Sequence, residues 1–358
     1  MKITVITVCL NSADTIEKTI KSVIGQKYHE LEYIVIDGGS TDGTLDILNR
    51  YDDCIDMWIS EPDDGIFDAM NKGIELATGD VIAFLNSDDW YEENALQLVG
   101  NAFMSGGCDC VCCDNYVLNK NGDTVYYSGT NKSFDDLNYR MIYFHSAVFC
   151  KKEFFRKKGN FDLKYKIAAD YNWFLWAVEQ GARLRNISRP VFTFRYGGIS
   201  SVNEIDCARE ARRIALCHLS ADKEEYKNKI DDRFYEIAIS ALDKSVLYAG
   251  LMEILDEKQT NVLWGAGTRG KQCAKWFQNM GIEVTAIIDS DRHRWGEKLF
   301  GVDICAPDIL ENQLCNLIIT PDKHIEDIKS AVSRIADRNT HVFELRSLCK
   351  RVIDNMDV

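Results

Sequence analysis

The chain has 358 residues, of which 46% are hydrophobic and 27% charged, and it carries a formal net charge of −14. That length allows two domains, each with its own core, and the acidity argues against general nucleic-acid binding, which would need a basic surface. No run approaches the apolar length of a membrane span, and the N-terminus enters a strand directly, without a signal peptide, so a cytoplasmic protein is expected.

A strand is predicted from Lys2 to Val8, then a helix from Asp14 to Ile24. That helix carries Ile16, Ile20, Val23 and Ile24 on one stripe and an acidic capping pair, Asp14 and Glu17, at its start. Tyr33-Ile34-Val35-Ile36 is a second strand and runs into Asp37-Gly38-Gly39-Ser40-Thr41-Asp42-Gly43. A helix from Thr44 to Arg50, an apolar segment around Ile59 and a helix from Ile66 to Ala77 follow. Val81 to Leu85 is then a strand that runs into Asn86-Ser87-Asp88-Asp89. Short, continuously apolar runs read as strands buried on both faces, and their alternation with helices predicts a parallel sheet with right-handed crossovers.

Cys108 to Tyr127 reads as one or two strands broken at Asn121-Gly122. The 13 cysteines lack the paired CxxC or Cys/His spacing of a zinc site, so reduced, mostly buried thiols are expected. Ala147 to Cys150 is a short strand leading into the basic stretch Lys151 to Lys158, and Asp170 opens a helix ending near Gly181. Residues 206–258 read as a helical connector. A second βαβ unit occupies 259–358: a strand from Asn261 to Trp264, the run Gly265-Ala266-Gly267-Thr268-Arg269-Gly270, a helix to Met280, and a strand from Val284 to Ile288 that ends at Asp289.

Two acidic clusters thus stand at the carboxyl ends of apolar strands. Ligands of open parallel sheets sit in the crevice outside those ends, and carboxylates delivered there suit a nucleotide and a hard divalent cation that bridges phosphates. Asp37 is able to accept hydrogen bonds from a uracil or guanine edge or from a ribose, with an ordinary turn capped by Ser40 or Asp42 as the alternative.

Four segments carry a resemblance. Thr7-Val8-Cys9-Leu10-Asn11, the Asp37 run, Ser60-Glu61-Pro62-Asp63-Asp64-Gly65-Ile66-Phe67-Asp68-Ala69-Met70-Asn71-Lys72-Gly73, and Phe84-Leu85-Asn86-Ser87-Asp88-Asp89 occur in the order seen in family 2 glycosyltransferases. Residues 1–205 therefore resemble that family, which builds bacterial polysaccharides and decorates lipid-linked sugars. The resemblance implies a GT-A domain of α/β class (a Rossmann-like mixed sheet flanked by helices), a nucleotide-diphosphate sugar donor, Mn²⁺ or Mg²⁺, and inversion at the anomeric carbon. It implies that Asp37 contacts the donor base. Thr7, Cys9, Asn11, Gly65, Asn71, Lys72, Asn86 and Ser87 would lie on the donor side, and Asp88 would bind the metal, with Asp89 beside it as a further candidate. Asn86 stands where the family has an acid and brings no charge. Ala168-Ala169-Asp170-Tyr171-Asn172-Trp173 matches the segment that supplies the base, which makes Asp170 the group that deprotonates the acceptor, although Ala169 replaces an acid the family often has there. Apolar neighbours would raise the pKa of Asp170. His145 and Arg195 resemble positions lining the diphosphate and acceptor side, and Gly197-Gly198-Ile199-Ser200-Ser201 a loop closing over the donor.

Blander readings stand beside these: Asp88 and Asp89 as a helix cap before Trp90, Asp170 as a helix cap, His145 as a buried, hydrogen-bonded side chain. The basic stretch, with Lys164 and Lys166, is either a solvated face or a dock for anionic headgroups at the inner membrane face, where a lipid-linked acceptor would be met.

The second unit resembles small Rossmann-like domains appended to sugar-modifying enzymes. Gly265, Gly267 and Gly270 follow a strand and open a helix, with Asp289 about twenty residues on, as a dinucleotide or nucleotide site requires. The expectation is an inverting, metal-dependent transfer of sugar to a saccharide or lipid-linked acceptor in cell-surface polysaccharide assembly. A bifunctional protein with NAD-linked sugar chemistry in its second unit, and a catalytically silent sugar-nucleotide-binding protein, are the rivals.

Overall fold

The computed structural model describes residues 1–220, 225–241, 244–321, 324–336 and 340–354. The chain forms two compact units, Met1–Arg233 and Phe234–Val358.

The first unit is built on β1 (Ile3–Cys9), β2 (Leu31–Asp37), β3 (Met57–Ser60), β4 (Val81–Phe84), β5 (Trp90–Tyr91), β6 (Cys110–Leu118), β7 (Thr124–Tyr127), β8 (Val148–Lys151) and β9 (Leu184–Arg195). Among the described residues they make one sheet of order β3-β2-β1-β4-β8-β6-β9-β5, with β7 paired to β6. β1, β2, β3 and β4 run parallel, as expected, while β8 is antiparallel to both β4 and β6 and turns the sheet mixed. β1 and β4 are buried along their whole length. Alternate residues serve two cores: Ile6, Val8, Ile34 and Ile36 face one, and Ile3, Val5, Tyr33 and Val35 the other. The thiols of Cys110 and Cys112 enter the first core, and those of Cys108 and Cys113 the second. All 13 cysteines are free.

Several details differ from the sequence reading. The first helix begins at Ile16 with Thr15 at its N-cap, and no side chain caps it. Glu17 instead reaches Lys21 at 2.9 Å and the Tyr51 hydroxyl at 2.8 Å, so the Asp14–Glu17 capping pair does not form. β9 was hidden by its polar residues. Its pairing with β6 shifts register around Asp114, which lies opposite Pro190, the kind of irregular position where a strand tolerates proline. The connector assignment also moves. Ile214 and Ala215, on the helix Glu204–His218, and Ile230 are buried in the core of the first unit, so its packing extends beyond residue 205.

The second unit holds β10 (Thr260–Trp264), β11 (Val284–Ile288), β12 (Lys298–Leu299), β13 (Val302–Cys305), β14 (Cys315–Ile319) and β15 (His341–Glu344). Their order is β12-β13-β11-β10-β14-β15, all parallel except β12. The order reverses at β10, as in an open doubly wound sheet. Leu247, Leu251 and Leu255 pack into the core of this unit with Leu263, Phe277 and Ile287. No helix among the described residues is long and apolar enough to cross a membrane.

Candidate active site

Three parallel strands end level. Cys9, Asp37 and Ser60 pair in one row, and the pairing of Ile6 with Phe84 brings Asn86 to Asp89 off the same carboxyl edge. The apolar registers of β1, β2 and β4 therefore fix where the acidic loops emerge.

Asp37 is fully buried. Its Oδ2 accepts the Gly39 N–H at 3.0 Å, the Ser40 N–H at 2.8 Å and the Ser60 hydroxyl at 2.6 Å, while Oδ1 takes the Ser40 hydroxyl and, at 3.5 Å, the Cys9 thiol. Burial works against its charge, yet the bonds from Ser40 and Ser60 hold its pKa below the ordinary value. The Asp37 oxygens are thus engaged within the chain, and the residue shapes the turn. Asp42 completes that turn by accepting the N–H groups of Ala13 and Thr44, both at 3.0 Å.

Other residues expected on the donor side divide the same way. Thr7 is buried and its hydroxyl accepts a bond from Tyr33 at 3.2 Å. Cys9 is buried, and burial foremost pushes its thiol pKa far up. Asn71 is a staple: its amide exchanges bonds of 3.0 and 2.8 Å with the backbone of Phe161. These three face inward and support the crevice without lining it. Asn11, exposed and in the left-handed region at φ 49°, accepts the Thr41 N–H at 2.9 Å on the rim. Lys72 grips the loop before its helix, reaching the Pro62 carbonyl at 3.1 Å and Glu61 at 2.9 Å. Gly65, at φ 112°, turns that loop into the helix Ile66–Leu76, a conformation that strains any other residue. Ser87 is buried and pairs hydroxyls with Ser12 at 2.8 Å.

Asp88 and Asp89 separate clearly. Asp89 is fully buried; Oδ1 accepts the Arg195 N–H at 2.9 Å, and the Ser146 hydroxyl also acts on the carboxylate. Burial, reinforced by the charge of Asp88, raises its pKa well above the ordinary value. The Asp89 carboxylate is therefore turned into the chain and away from the crevice. Asp88 is only half-buried; burial raises its pKa while Arg195 and His145 pull it down. A short strand, β5, follows, so neither acid caps a helix there. Arg195 is exposed on the Asp88 side. A Cβ on Gly198 would come 3.0 Å from Asp88 Oδ2, so the loop after β9 lies against this carboxylate.

His145 ties this edge to the expected base. Its Nε2 lies 3.3 Å from Asn86 Oδ1 and its Nδ1 4.0 Å from Asp170 Oδ2. Burial lowers the His145 pKa, against the pull of Asp170 and Asp88, and favours the neutral ring. Asp170 sits in the first turn of the helix Ala169–Glu179, whose N-cap is Ala168, so it is not the cap. Its Oδ1 accepts the N–H of Tyr171 at 2.8 Å, and burial raises its pKa against the opposing effect of His145.

Sequence reasoning missed Glu210. From the helix Glu204–His218 its Oε1 accepts the Lys166 N–H at 2.7 Å, and its Oε2 those of Ile167 and Ala168 at 2.8 and 2.9 Å. It holds the segment that delivers Asp170. Nothing in the local pattern marks it, because its partners are more than 40 positions away.

Among the described residues no three metal-ligating side chains converge. One accessible carboxylate, Asp88, with Asn86 nearby in the chain and the neutral His145 ring within reach, fits a cation shared with the oxygens of a bound diphosphate, and does not fit a protein-only cage.

In the second unit, Gly265 turns at φ 107°, and a Cβ on Gly270 would collide with the Gly265 carbonyl, so both glycines are required by the turn and its helix. Asp289 spends its oxygens on the N–H groups of Ala266 and Asp291, each at 2.9 Å, and on Arg294 at 3.1 Å. It is thus not presented as a free acid for a ribose. Gly267 has open space around it.

The model of the Glycosyl transferase family 2 matches residues 4–163. A PGL/p-HBAD biosynthesis glycosyltransferase of Mycobacterium tuberculosis is 31% identical over 193 residues, 52% of this chain and 70% of that protein. Among solved structures, S. aureus TarS superposes with a TM-score of 0.52 at 19% identity, over 78% of this chain and 48% of that one, so the chain spans about half the length of TarS. The mannosyltransferase PcManGT of Pyrobaculum calidifontis, solved with GDP-Man and Mn²⁺, gives 0.53 at 16% identity over 78% and 85% of the two chains. At those identities the structural likeness speaks to fold, a GT-A sheet.

Proposed function

Because this chain belongs to the family 2 glycosyltransferases, we propose that it moves a sugar from a nucleoside-diphosphate sugar to a saccharide or lipid-linked hydroxyl with inversion. The observation that carries this reading is the placement of His145, which touches Asn86 of the donor edge on one side and faces Asp170 on the other. Base and donor edge are thus one imidazole apart.

In this reading the acceptor oxygen attacks the anomeric carbon as its proton passes to the Asp170 carboxylate. The bond from that carbon to the diphosphate breaks, and the nucleoside diphosphate leaves with the electron pair. The raised pKa of Asp170 makes it a better proton acceptor than an ordinary aspartate. Neutral His145 adds no positive charge to hold that proton off. Arg195 brings a cation to the Asp88 side, where the diphosphate would lie. Asp88 would hold a divalent cation whose chemistry is to neutralise the departing diphosphate. PcManGT, solved with both a nucleotide sugar and Mn²⁺, supports that assignment by analogy. For a lipid-linked acceptor, the exposed Arg156 and Lys157 are the cations offered to headgroups, since Lys151 is paired with Asp109 at 3.0 Å.

The second unit we assign an accessory nucleotide-binding or assembly role. Its reversed strand order and glycine turn support that, and the engagement of Asp289 by Arg294 weighs against NAD-linked chemistry. The deciding experiment is a thermal-shift screen of sugar nucleotides with Mn²⁺ and with EDTA, followed by assay of nucleoside diphosphate release. One UDP- or GDP-sugar should stabilise the protein in Mn²⁺ and be turned over. If no sugar nucleotide does either, the transferase reading fails.

A further inference from the structure

Gly38 follows the buried Asp37 at the carboxyl end of β2. A Cβ placed on it would lie 2.5 Å from Asp63 Oδ2 and 3.2 Å from Asp63 Cγ. The Asp63 carboxylate therefore fills the space that a side chain at position 38 would take. Its direction is fixed from two sides. Oδ1 accepts the Gly65 N–H at 2.9 Å, and Lys72 clamps the preceding Glu61-Pro62 segment. Oδ2 has no hydrogen-bond partner among the described residues, and the residue is only half-buried. Its charge reaches Cys9, at the end of β1. Next to Cys9, Leu10 presents a 55% exposed apolar side chain at the same edge.

Asp37, by contrast, has its oxygens committed to the turn and no exposure. We propose that Asp63, and not Asp37, reads the base of the donor nucleotide, its Oδ2 accepting the N–H on the pairing edge of that base. The proposal rests on the crevice being a sugar-nucleotide site. Its chemistry sets a specificity. Uracil and thymine carry N3–H and guanine carries N1–H, all donors to a carboxylate. Cytosine N3 and adenine N1 are bare acceptors and would meet the carboxylate with repulsion. A buried or half-buried group committed to one hydrogen-bond polarity rejects the opposite one more strongly than an apolar pocket rejects a misfit.

Calorimetric titration of the full chain with UDP, GDP, CDP and ADP tests this, using wild type, Asp63→Asn and Gly38→Ala. The second variant leaves the carboxylate chemically intact but displaces it, since the added methyl claims its place. Wild type should bind UDP or GDP about tenfold or more tightly than CDP and ADP, the size of one hydrogen bond to a charged group. Asp63→Asn should lose about that factor for the preferred nucleotide and narrow the gap to CDP, whose N3 the new amide is able to serve. Gly38→Ala should reproduce the loss, and it carries the test alone if Asp63→Asn fails to fold. Unchanged affinity and selectivity in a folded variant, or a wild-type preference for CDP or ADP, overturns the assignment. Absence of any nucleoside diphosphate binding by wild type would instead sink the donor-site reading beneath it.

Discussion

Glu210→Gln is the perturbation that best separates the scaffold from the chemistry. The carboxylate accepts three backbone N–H groups, one on Oε1 and two on Oε2. A glutamine of the same shape keeps one acceptor oxygen, which will settle where it serves Ile167 and Ala168. Its amide nitrogen then faces the Lys166 N–H, donor against donor. Losing one charge-assisted bond at a half-exposed position and weakening the other two costs about 1.5–3 kcal/mol. The larger consequence is positional. Ala168 is the N-cap of the helix that carries Asp170, so loosening the segment lets the base drift, and a displacement of about 1 Å is able to cost about 10²-fold in rate. The expected result is a lowered urea midpoint and a kcat reduced by about ten- to a hundredfold. Donor binding should stay nearly constant, because the hydrogen bonds of Glu210 among the described residues go to the Lys166–Ala168 backbone and not to the donor edge. Urea denaturation, steady-state transfer and donor calorimetry on one preparation decide it. An unchanged midpoint and kcat would refute the idea that this carboxylate holds the base, and a lower midpoint with full kcat would reduce Glu210 to a structural role.

Asp170→Asn should lower transfer by about 10²–10⁴-fold with donor affinity retained, and near-normal transfer would place the base elsewhere. Because burial raises the Asp170 pKa above its usual 3.8, wild-type transfer should fall as pH drops through that raised value, and this limb should vanish in the variant's pH–rate profile. The sign for stability is the reverse: the fold disfavours the ionised carboxyl, so the cost grows as pH rises, and the asparagine variant should unfold no more easily than wild type at neutral pH in a thermal melt. Asp88→Ala should abolish EDTA-sensitive turnover while Asp89→Asn keeps it; equal metal dependence in both, measured by Mn²⁺ titration of activity, contradicts the division drawn between them. A chain ended at Glu257 should aggregate in size-exclusion chromatography, because Leu247, Leu251 and Leu255 lose the core they pack into; a soluble monomer would show that those leucines find cover elsewhere.

The legible parts of this protein are those where one short segment determines its own environment. β1, β2 and β4 announce themselves by unbroken apolar runs, and the acidic turns follow at once, so the edge they form is readable. Gly65 and Gly265 are readable for the same reason, since a turn with positive φ leaves a local signature. What escaped is what depends on distant partners. β9 looks polar because its pairing with β6 buries only part of it. Thr7 and Asn71 fit a donor-binding motif by position, yet Tyr33 and the Phe161 backbone claim them from across the fold. The inequality of Asp88 and Asp89 is invisible in a run of two identical residues, because it is set by which one the Arg195 backbone meets.

The Asn71 staple also bears on how such a chain is able to exchange parts with its relatives. One amide satisfies both backbone groups of Phe161, 90 positions away, and the Phe161 ring packs on Phe67, Phe84 and Trp173. The donor half and the base half are therefore pinned together at residue 161. A crossover between residues 72 and 160 should keep the staple wherever the parent supplying position 71 carries an amide, since any residue but proline offers the same backbone groups at 161, and should fail where the ring at 161 no longer fits its neighbours.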